Sequence, residues 1–174
     1  MKPLRLKMQA FGSYGKETTI DFEKVNQNLF LITGDTGAGK TTIFDAIVFA
    51  LYGEASSSLN KKEGVVLQSQ YVDFDSEPYV ELVFSEDRDE KREIYTVRRV
   101  PRHLKTITRG ANKGKPKENT GSVSLIMPDG LEYPSKEADR KLQETVGLTK
   151  SQFMQVAISF SFTRLRLPSS VTIS

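Results

Sequence analysis

A glycine-rich turn and a lysine separate two apolar segments in this chain of 174 residues. Residues 34–41 read GDTGAGKT and match the pattern G-x-x-x-x-G-K-[ST]. Leu29–Ile32 before the turn has the length and apolarity of a buried strand, and Ile43–Val48 after it has the composition of a buried helix. Because the turn needs support from both flanks, this order of strand, turn and helix constrains the fold more than any other feature.

Each part of this motif suits the binding of a phosphate chain. Glycines leave consecutive backbone N–H groups uncovered, and the start of the following helix adds its positive dipole end. Lys40 supplies a charge for the β- and γ-phosphates, and the Thr41 hydroxyl can ligate Mg²⁺. We therefore predict an ATP site, with Mg²⁺ as its metal, at Asp35, Thr36, Gly37, Ala38, Gly39, Lys40, Thr41 and Thr42.

Hydrolysis of a nucleotide needs further groups that this sequence does not provide clearly. An acidic residue at the end of an apolar strand usually holds Mg²⁺ and helps to orient water. Leu125–Gly130 and Val83–Asp87 come closest, but each runs into turn residues. We expect no complete set of catalytic residues in this chain.

The pattern elsewhere predicts an α/β fold of the P-loop NTPase type, with antiparallel β-hairpins and a mixed sheet around the P-loop helix. We expect a hairpin turn at Glu86–Asp89, a helix capped by Ser135 and ended by Gly147, and a further helix that starts at Thr149. The predicted strands are 4–11, 17–22, 28–33, 79–84, 92–100, 122–127 and 131–133, and the P-loop helix is 40–52 with Gly53 as its stop. Most Phe and Tyr residues are predicted in the core, with Tyr14 as the exception.

Positive charge is concentrated in residues 98–117, which contain eight Lys or Arg and no acidic residue. Such a patch can contact the phosphates of double-stranded DNA without reading its sequence, or it can be a solvated loop. The single histidine, His103, is predicted to be an ordinary loop residue of this segment. The candidate DNA contacts are Arg98, Arg99, Arg102, Lys105 and Arg109.

Composition excludes some classes of protein. The chain has no cysteine, so it forms no disulfide and no cysteine-based metal site. The longest apolar run is too short to span a bilayer, and the first residues lack a signal-peptide apolar region. We expect a cytoplasmic protein without membrane contact.

Four stretches resemble the SbcC-type DNA-repair ATPases, which are SMC-like, ABC-type components of the bacterial SbcCD nuclease. The helix that ends in Ala-Leu-Tyr-Gly is the most distinctive, since other P-loop enzymes rarely carry it. Weaker similarity continues to residue 157. The stretches are LKMQAFGSY (6–14), IDF (20–22), LITGDTGAGKTT (31–42) and DAIVFALYG (45–53).

The resemblance implies that residues 1–157 form the N-terminal lobe of an ATPase head, with Ser13 beside the nucleotide. In this family a coiled coil joins the head's two lobes, and two heads sandwich two ATP molecules. The implied partners are the chain's own C-terminal lobe, a second head in an ATP-dependent homodimer, an SbcD-type metallonuclease and DNA. ATP closure and hydrolysis then gate the exonuclease during DNA repair. The isolated chain is expected to bind ATP without turning it over.

Residues 158–174 depart from the family pattern. Relatives continue from this point into Gln-Gly-Glu, whose first glutamine contacts Mg²⁺ and the attacking water, whereas this chain reads ISFSFTRLRLPSSVTIS. A truncation, a change of reading frame and a vector-derived tail each explain the difference. We therefore expect 158–174 to be an atypical tail.

Two other functions remain open from the residues. One is a small P-loop kinase that is complete in this chain, with the arginines of 98–117 in a lid. The other is a DNA-binding module without enzymatic activity, whose P-loop is a relic. The intact Lys40–Thr41 pair argues against a relic, and ATP turnover by the lone chain would favour the kinase.

Overall fold

The computed structural model describes residues 1–23, 31–33, 35, 39–56, 67–159 and 170–172. Within them lie ten strands and three helices. The strands are β1 (Lys2–Gln9), β2 (Thr18–Asp21), β3 (Leu31–Thr33), β4 (Tyr79–Arg88), β5 (Lys91–Val100), β6 (His103–Thr106), β7 (Pro116–Asn119), β8 (Ser122–Ile126), β9 (Glu132–Pro134) and β10 (Ser170–Thr172). The helices are α1 (Lys40–Tyr52), α2 (Ser135–Val146) and α3 (Lys150–Ser159).

Six strands form one sheet in the order β2-β1-β4-β5-β8-β9. All five neighbouring pairs are antiparallel, and three of them, β1–β2, β4–β5 and β8–β9, join strands that are consecutive in the chain. Parallel pairing within the described residues occurs between β3 and β10, which form a separate ladder. The α/β class and the antiparallel hairpins are confirmed, and the parallel part of the predicted mixed sheet lies outside the six-stranded sheet.

The β4–β5 hairpin is longer than the sequence predicted. Glu86 and Asp87 are strand residues paired with Glu93 and Arg92, so the predicted turn at Glu86–Asp89 is wrong. The chain reverses at Asp89 and Glu90, which both have positive φ, 48° and 63°. Two positive φ values in a two-residue connection match the right-handed twist of the flanking strands, and this geometry overrides the ordinary preference for glycine there.

The core lies between one face of this sheet and α1. Alternate residues of β4 and β5 point to that face, and the rings of Phe84 and Tyr95 stack on adjacent strands with centroids 5.3 Å apart. The helix α1 is buried over most of its circumference, including Ile43 and the run Ala46–Leu51. Its predicted bounds are confirmed, and the burial holds the start of α1 in a defined position relative to the sheet.

Two features supply hydrogen bonds to backbone carbonyls at the C-terminal end of α1. Gly53 is left-handed with φ 74°, and its N–H donates to the Phe49 carbonyl. Arg99 of β5 is 7% exposed, and its Nε donates to the Ala50 carbonyl at 3.1 Å. The same guanidinium pairs with Asp139 of α2 at 2.6 Å. Arg99 therefore joins the sheet, the end of α1 and α2.

The two later helices begin differently. Ser135 was predicted to cap α2, but it is the first helical residue, with φ 50°, and Pro134 takes the cap position without a side-chain hydrogen bond to the helix. The prediction is wrong because the preceding strand β9 runs directly into the helix. Thr149 does cap α3: its N–H donates to the Gln152 side chain at 2.9 Å, and the Gln152 N–H donates to the Thr149 hydroxyl at 3.3 Å.

The basic segment contains an ordered hairpin, β6–β7, rather than a plain loop. His103 lies in β6 and is 2% exposed, so its prediction as a loop residue is wrong. Its Nδ1 lies 3.0 Å from the Pro101 carbonyl, and its Nε2 has no hydrogen-bond partner among the described residues. The single histidine is thus a buried core residue, which a basic sequence context does not reveal.

The division at residue 157 stays a prediction. Helix α3 runs through this point to Ser159, and Ser170–Thr172 pairs with β3. The rest of the predicted tail, 160–169 and 173–174, lies outside the described residues, as does the predicted strand start 28–30. No helix within the described ranges is long and apolar enough to cross a lipid bilayer.

Replacing Arg99 with Met should lower the free energy of unfolding by about 2 kcal/mol, because the Ala50 carbonyl and Asp139 lose a buried charged donor. Arg98→Met is the matched control. Arg98 lies on the opposite face of β5, 39% exposed, with its guanidinium 3.6 Å from the Tyr79 ring centroid. Its loss should cost about 1 kcal/mol or less. Urea unfolding measures both, and equal losses would contradict the assigned role of Arg99.

Candidate phosphate-binding site

The start of α1 is an uncapped helix end. Gly39 takes the cap position in the left-handed conformation, with φ 82°, and no side chain among the described residues caps the first turn. Glycine is required there because other L-residues rarely adopt this conformation. The first-turn N–H groups therefore keep their partial positive charge for an anion.

Lys40, Thr41 and Thr42 follow on the first turn of α1, as the motif predicts. The Lys40 ammonium donates to the backbone carbonyl of Asp35 at 2.6 Å, so the lysine folds back over the turn. Thr41 is exposed, and its hydroxyl makes no hydrogen bond within the described part of the chain. A lysine ammonium and an exposed hydroxyl thus stand next to the uncapped helix end.

Part of the predicted phosphate loop cannot be placed. Gly34, Thr36, Gly37 and Ala38 lie outside the described residues. Asp35 is described and exposed, and its backbone carbonyl receives the Lys40 hydrogen bond. The roles of Thr36, Gly37 and Ala38 in phosphate binding therefore stay predictions.

A tight turn between β1 and β2 covers the first turn of α1. Phe11 and Tyr14 exchange two backbone hydrogen bonds of 2.9 Å around Gly12 and Ser13. The turn is anchored on a second segment, where the Gly12 N–H donates to the Leu67 carbonyl at 2.9 Å. The Phe11 ring also packs on Phe49 of α1, with centroids 5.4 Å apart. The turn is therefore held at a fixed position against the helix.

Three residues of this turn contact the start of α1. A Cβ built on Gly12 would lie 2.6 Å from the Thr42 Cγ2, and one built on Gly39 would lie 2.9 Å from the Tyr14 Cε2. The Ser13 and Thr42 hydroxyls are 3.1 Å apart and share a hydrogen bond. Ser13, predicted from the resemblance alone, is thus adjacent to the motif, and both glycines allow an approach that side chains would prevent.

Asp45 has a role that sequence reasoning missed. Its carboxylate accepts hydrogen bonds from both the backbone N–H (3.0 Å) and the hydroxyl of Ser56, and so holds the chain after α1 against the helix. One carboxylate inside an otherwise apolar helix was the signal, since an isolated charge at such a position needs partners.

A second concave surface lies at the opposite end of α1. It is a cleft of about 340 Å³ lined in part by Arg99, Arg102, Lys136 and Asp139. Two of its cations already have carboxylate partners: Arg99 pairs with Asp139, and Arg102 pairs with Glu118. The C-terminal end of a helix also repels anions. A phosphate chain is therefore favoured at the start of α1 over this cleft.

The five predicted DNA contacts lie in different environments. Arg98 is half-buried beside Glu81 and Tyr79, and Arg99 is buried with two protein partners. Arg102 pairs with Glu118. Lys105 in β6 and Arg109 in the hairpin loop are exposed and have no ion-pair partner among the described residues. The structure thus separates two exposed cations without an ion-pair partner among the described residues from three that already contact protein groups.

The chain matches a known family over most of its length. The family model described as AAA domain matches residues 5–166.

No cluster of three or more histidine, cysteine or acidic side chains that could hold a metal ion occurs within the described ranges.

The chain is similar to several proteins named as the SbcC component of the nuclease SbcCD. It is 34% identical to that of Vibrio cholerae over 162 residues and 32% identical to that of Staphylococcus saprophyticus over 179 residues. These alignments cover 91% and 98% of this chain but 15% and 16% of the relatives, so the chain spans about a sixth of their length. The SMC head domain from Thermotoga maritima aligns with 81% of this chain and 42% of its own, at 21% identity and a TM-score of 0.42.

Replacing Gly39 with Ala should destabilise the protein more than replacing Gly130 with Ala. Both glycines have similar positive φ, 82° and 85°, so each substitution costs about 1–2 kcal/mol in backbone strain. Only at Gly39 would the new methyl also meet a neighbour, the Tyr14 ring, whereas nothing lies within 4 Å at Gly130. Thermal unfolding of the two variants compares them directly. Equal melting temperatures would show that Tyr14 does not press on Gly39.

Proposed function

The chain belongs to the AAA domain family, and from this premise we propose that it is the ATP-binding lobe of an SbcC-type DNA-processing ATPase. In this proposal the lobe binds ATP with Mg²⁺ and hydrolyses it only when its C-terminal lobe and a second head complete the site. One observation carries the nucleotide part: the uncapped start of α1, with Lys40 and Thr41 beside it.

The residues of the site divide the work of binding. The first-turn amides of α1 and the Lys40 ammonium neutralise the phosphate chain, and the Lys40 side chain exchanges its Asp35 carbonyl for a phosphate oxygen. Thr41 offers its hydroxyl to Mg²⁺, which prefers oxygen ligands and keeps contact with the phosphates. Thr42 follows Thr41 on the first turn of α1, and its hydroxyl is already hydrogen-bonded to that of Ser13.

Replacing Lys40 with Ala should weaken MgATP binding by on the order of 100-fold or more, because the site loses a charged donor in the absence of any other cation on the first turn. The fold should persist, since the lysine is only partly buried. Isothermal calorimetry measures the affinity, and circular dichroism checks the fold.

Lys16→Ala is the control for this prediction. Lys16 is exposed just beyond the turn that covers the start of α1, so its loss removes the same charge from the same region without touching the motif. It should change MgATP affinity by less than about threefold. An unchanged affinity in Lys40→Ala would contradict the proposed site.

The lone chain should bind ATP with negligible turnover, because the proposal assigns the acidic residue that holds Mg²⁺ and orients water to another part of the full protein. The two acidic stretches considered from sequence do not change this expectation. Asp129 accepts from the Leu131 N–H within a turn, and Glu86 pairs with the N-terminal ammonium at 2.9 Å. Robust hydrolysis or phosphoryl transfer by the lone chain would instead favour the self-sufficient kinase.

We infer that DNA contacts the β6–β7 hairpin. Lys105 and Lys117 face each other across this hairpin, and both are exposed. Like charges directly opposite each other destabilise a two-stranded ladder, and an anion between them removes that cost. Arg109 at the loop adds a third exposed cation, and the phosphate backbone of DNA supplies anions for all three. The DNA contact is thus expected to be independent of sequence.

A Lys105→Ala, Lys117→Ala double variant should make the negative slope of log affinity against log salt for duplex DNA shallower by about 2. Each lost phosphate contact reduces the magnitude of this slope by about 0.9. A Lys141→Ala, Lys150→Ala double variant is the control, because those lysines are already paired with Glu144 and Glu54. Fluorescence anisotropy at several salt concentrations measures both slopes. An unchanged slope in the hairpin variant would remove the hairpin from the DNA interface.

The remaining partners follow from the same proposal. They are an SbcD-type metallonuclease, which the names of the relatives suggest, and a second head that closes on ATP. The cytoplasm, where both ATP and DNA are present in bacteria, is the compartment in which we place the protein.

A further inference from the structure

The hydroxyl of Tyr14 lies against the start of α1. A Cβ built on Gly39 would be 3.0 Å from the Tyr14 oxygen and 2.9 Å from its Cε2, so the outer edge of the ring rests on the backbone of the helix cap. The hydroxyl oxygen is buried although the side chain as a whole is only partly so. The polar tip of Tyr14 is thus directed at the phosphate site and not at solvent.

This hydroxyl has no hydrogen-bond partner among the residues that the structure describes. Three other tyrosines at least partly shielded from solvent do have one: Tyr52 donates to the Leu148 carbonyl at 3.1 Å, Tyr95 to Glu93 at 2.6 Å, and Tyr79 to Glu17. A buried polar group without a partner is destabilising, and such groups are rare in native proteins. An unsatisfied hydroxyl next to a ligand site therefore indicates that its partner arrives with the ligand.

The turn that carries Tyr14 holds the backbone from which this side chain projects in a fixed position against α1. Its backbone is locked by the paired hydrogen bonds between Phe11 and Tyr14 and by the bond from Gly12 to Leu67. The packing of Phe11 on Phe49 fixes the same turn to α1. A hydroxyl held in this way is preorganised, so it loses little entropy when a ligand binds.

The chemistry of the surroundings selects an anionic acceptor. The hydroxyl faces the positive end of α1, where first-turn N–H groups and Lys40 attract negative charge. Burial raises the pKa of the Tyr14 hydroxyl, so it stays protonated and acts as a donor at neutral pH. A neutral donor beside a cationic helix end suits a phosphate oxygen, because a second full charge is not required there.

We propose that the Tyr14 hydroxyl donates a hydrogen bond to the phosphate chain of the nucleotide bound at the start of α1. The inference rests on the proposed ATP site. It assigns to Tyr14 a contact that the phosphate-loop motif does not contain, made by a residue 25 positions before the helix cap. The unpaired hydroxyl lowers the stability of the free protein, and nucleotide binding recovers this loss.

The test is Tyr14→Phe, which removes the hydroxyl and keeps the ring on Gly39. MgATP affinity should fall by about tenfold, as expected for one hydrogen bond to a charged acceptor. The melting temperature of the nucleotide-free variant should stay the same or rise, because a buried unpaired oxygen has been removed. A purely structural role for the hydroxyl would not produce these opposite changes. Calorimetry and thermal unfolding of the 174-residue chain provide the two readouts.

Tyr52→Phe is the matched control. Tyr52 lies at the far end of α1 and its hydroxyl has a protein partner, the Leu148 carbonyl. This variant should melt at a lower temperature and bind MgATP with unchanged affinity. If Tyr14→Phe behaves like this control, the proposal is overturned.

Inorganic tripolyphosphate separates a phosphate contact from one to the nucleoside. Tyr14→Phe should weaken tripolyphosphate with Mg²⁺ by the same factor as MgATP, and a loss seen with MgATP alone would overturn the assignment to phosphate. Wild-type and Lys40→Ala proteins serve as references. If the wild type binds neither compound, the ATP site itself is wrong; if it binds both and Tyr14→Phe binds them equally well, only the role of Tyr14 is wrong.

Discussion

The first-turn N–H groups of α1, which no side chain in the described ranges caps, are the feature on which the rest of this structure depends. A buried helix must satisfy polar groups at both ends, and here the two ends are treated in opposite ways. At the C-terminal end, Gly53 and Arg99 supply hydrogen bonds to the last carbonyls. At the N-terminal end, Gly39 adopts a conformation that adds no capping side chain. This asymmetry leaves the N-terminal end of a well-packed helix available to bind an anion.

The turn between β1 and β2 shows how the sheet contributes to this end of the helix. It brings Gly12, Ser13 and Tyr14 onto the first turn of α1, with contacts close enough that neither Gly12 nor Gly39 tolerates a Cβ without movement. The proposed phosphate site is therefore built from two separate chain segments. Because the turn is itself anchored at Leu67, the segment after α1 also supports the site.

The basic segment shows where sequence reasoning reached its limit. The sequence shows its positive charge, but the eight cations do not form one patch in the structure. Alternation along β5 sends Arg99 into the core and Arg98 to the other face, although both are arginines. His103, the first residue of β6, is buried, although its basic neighbours in the sequence suggested exposure. The long apolar stem of arginine lets it enter a core when its head group finds partners, and composition does not report those partners.

Local chemistry was predictable from the chain alone. The phosphate-loop pattern, the bounds of α1, the stops at Gly53 and Gly147 and most of the strands follow from periodicity and from the φ preferences of glycine, which act over a few residues. The pairings of Tyr14 with Gly39 and of Arg99 with Ala50 and Asp139 emerged only from the folded chain. These partners are 25 to 49 positions apart in the sequence. A hydrogen bond between distant residues depends on how the sheet and helices pack, and no local preference encodes that packing.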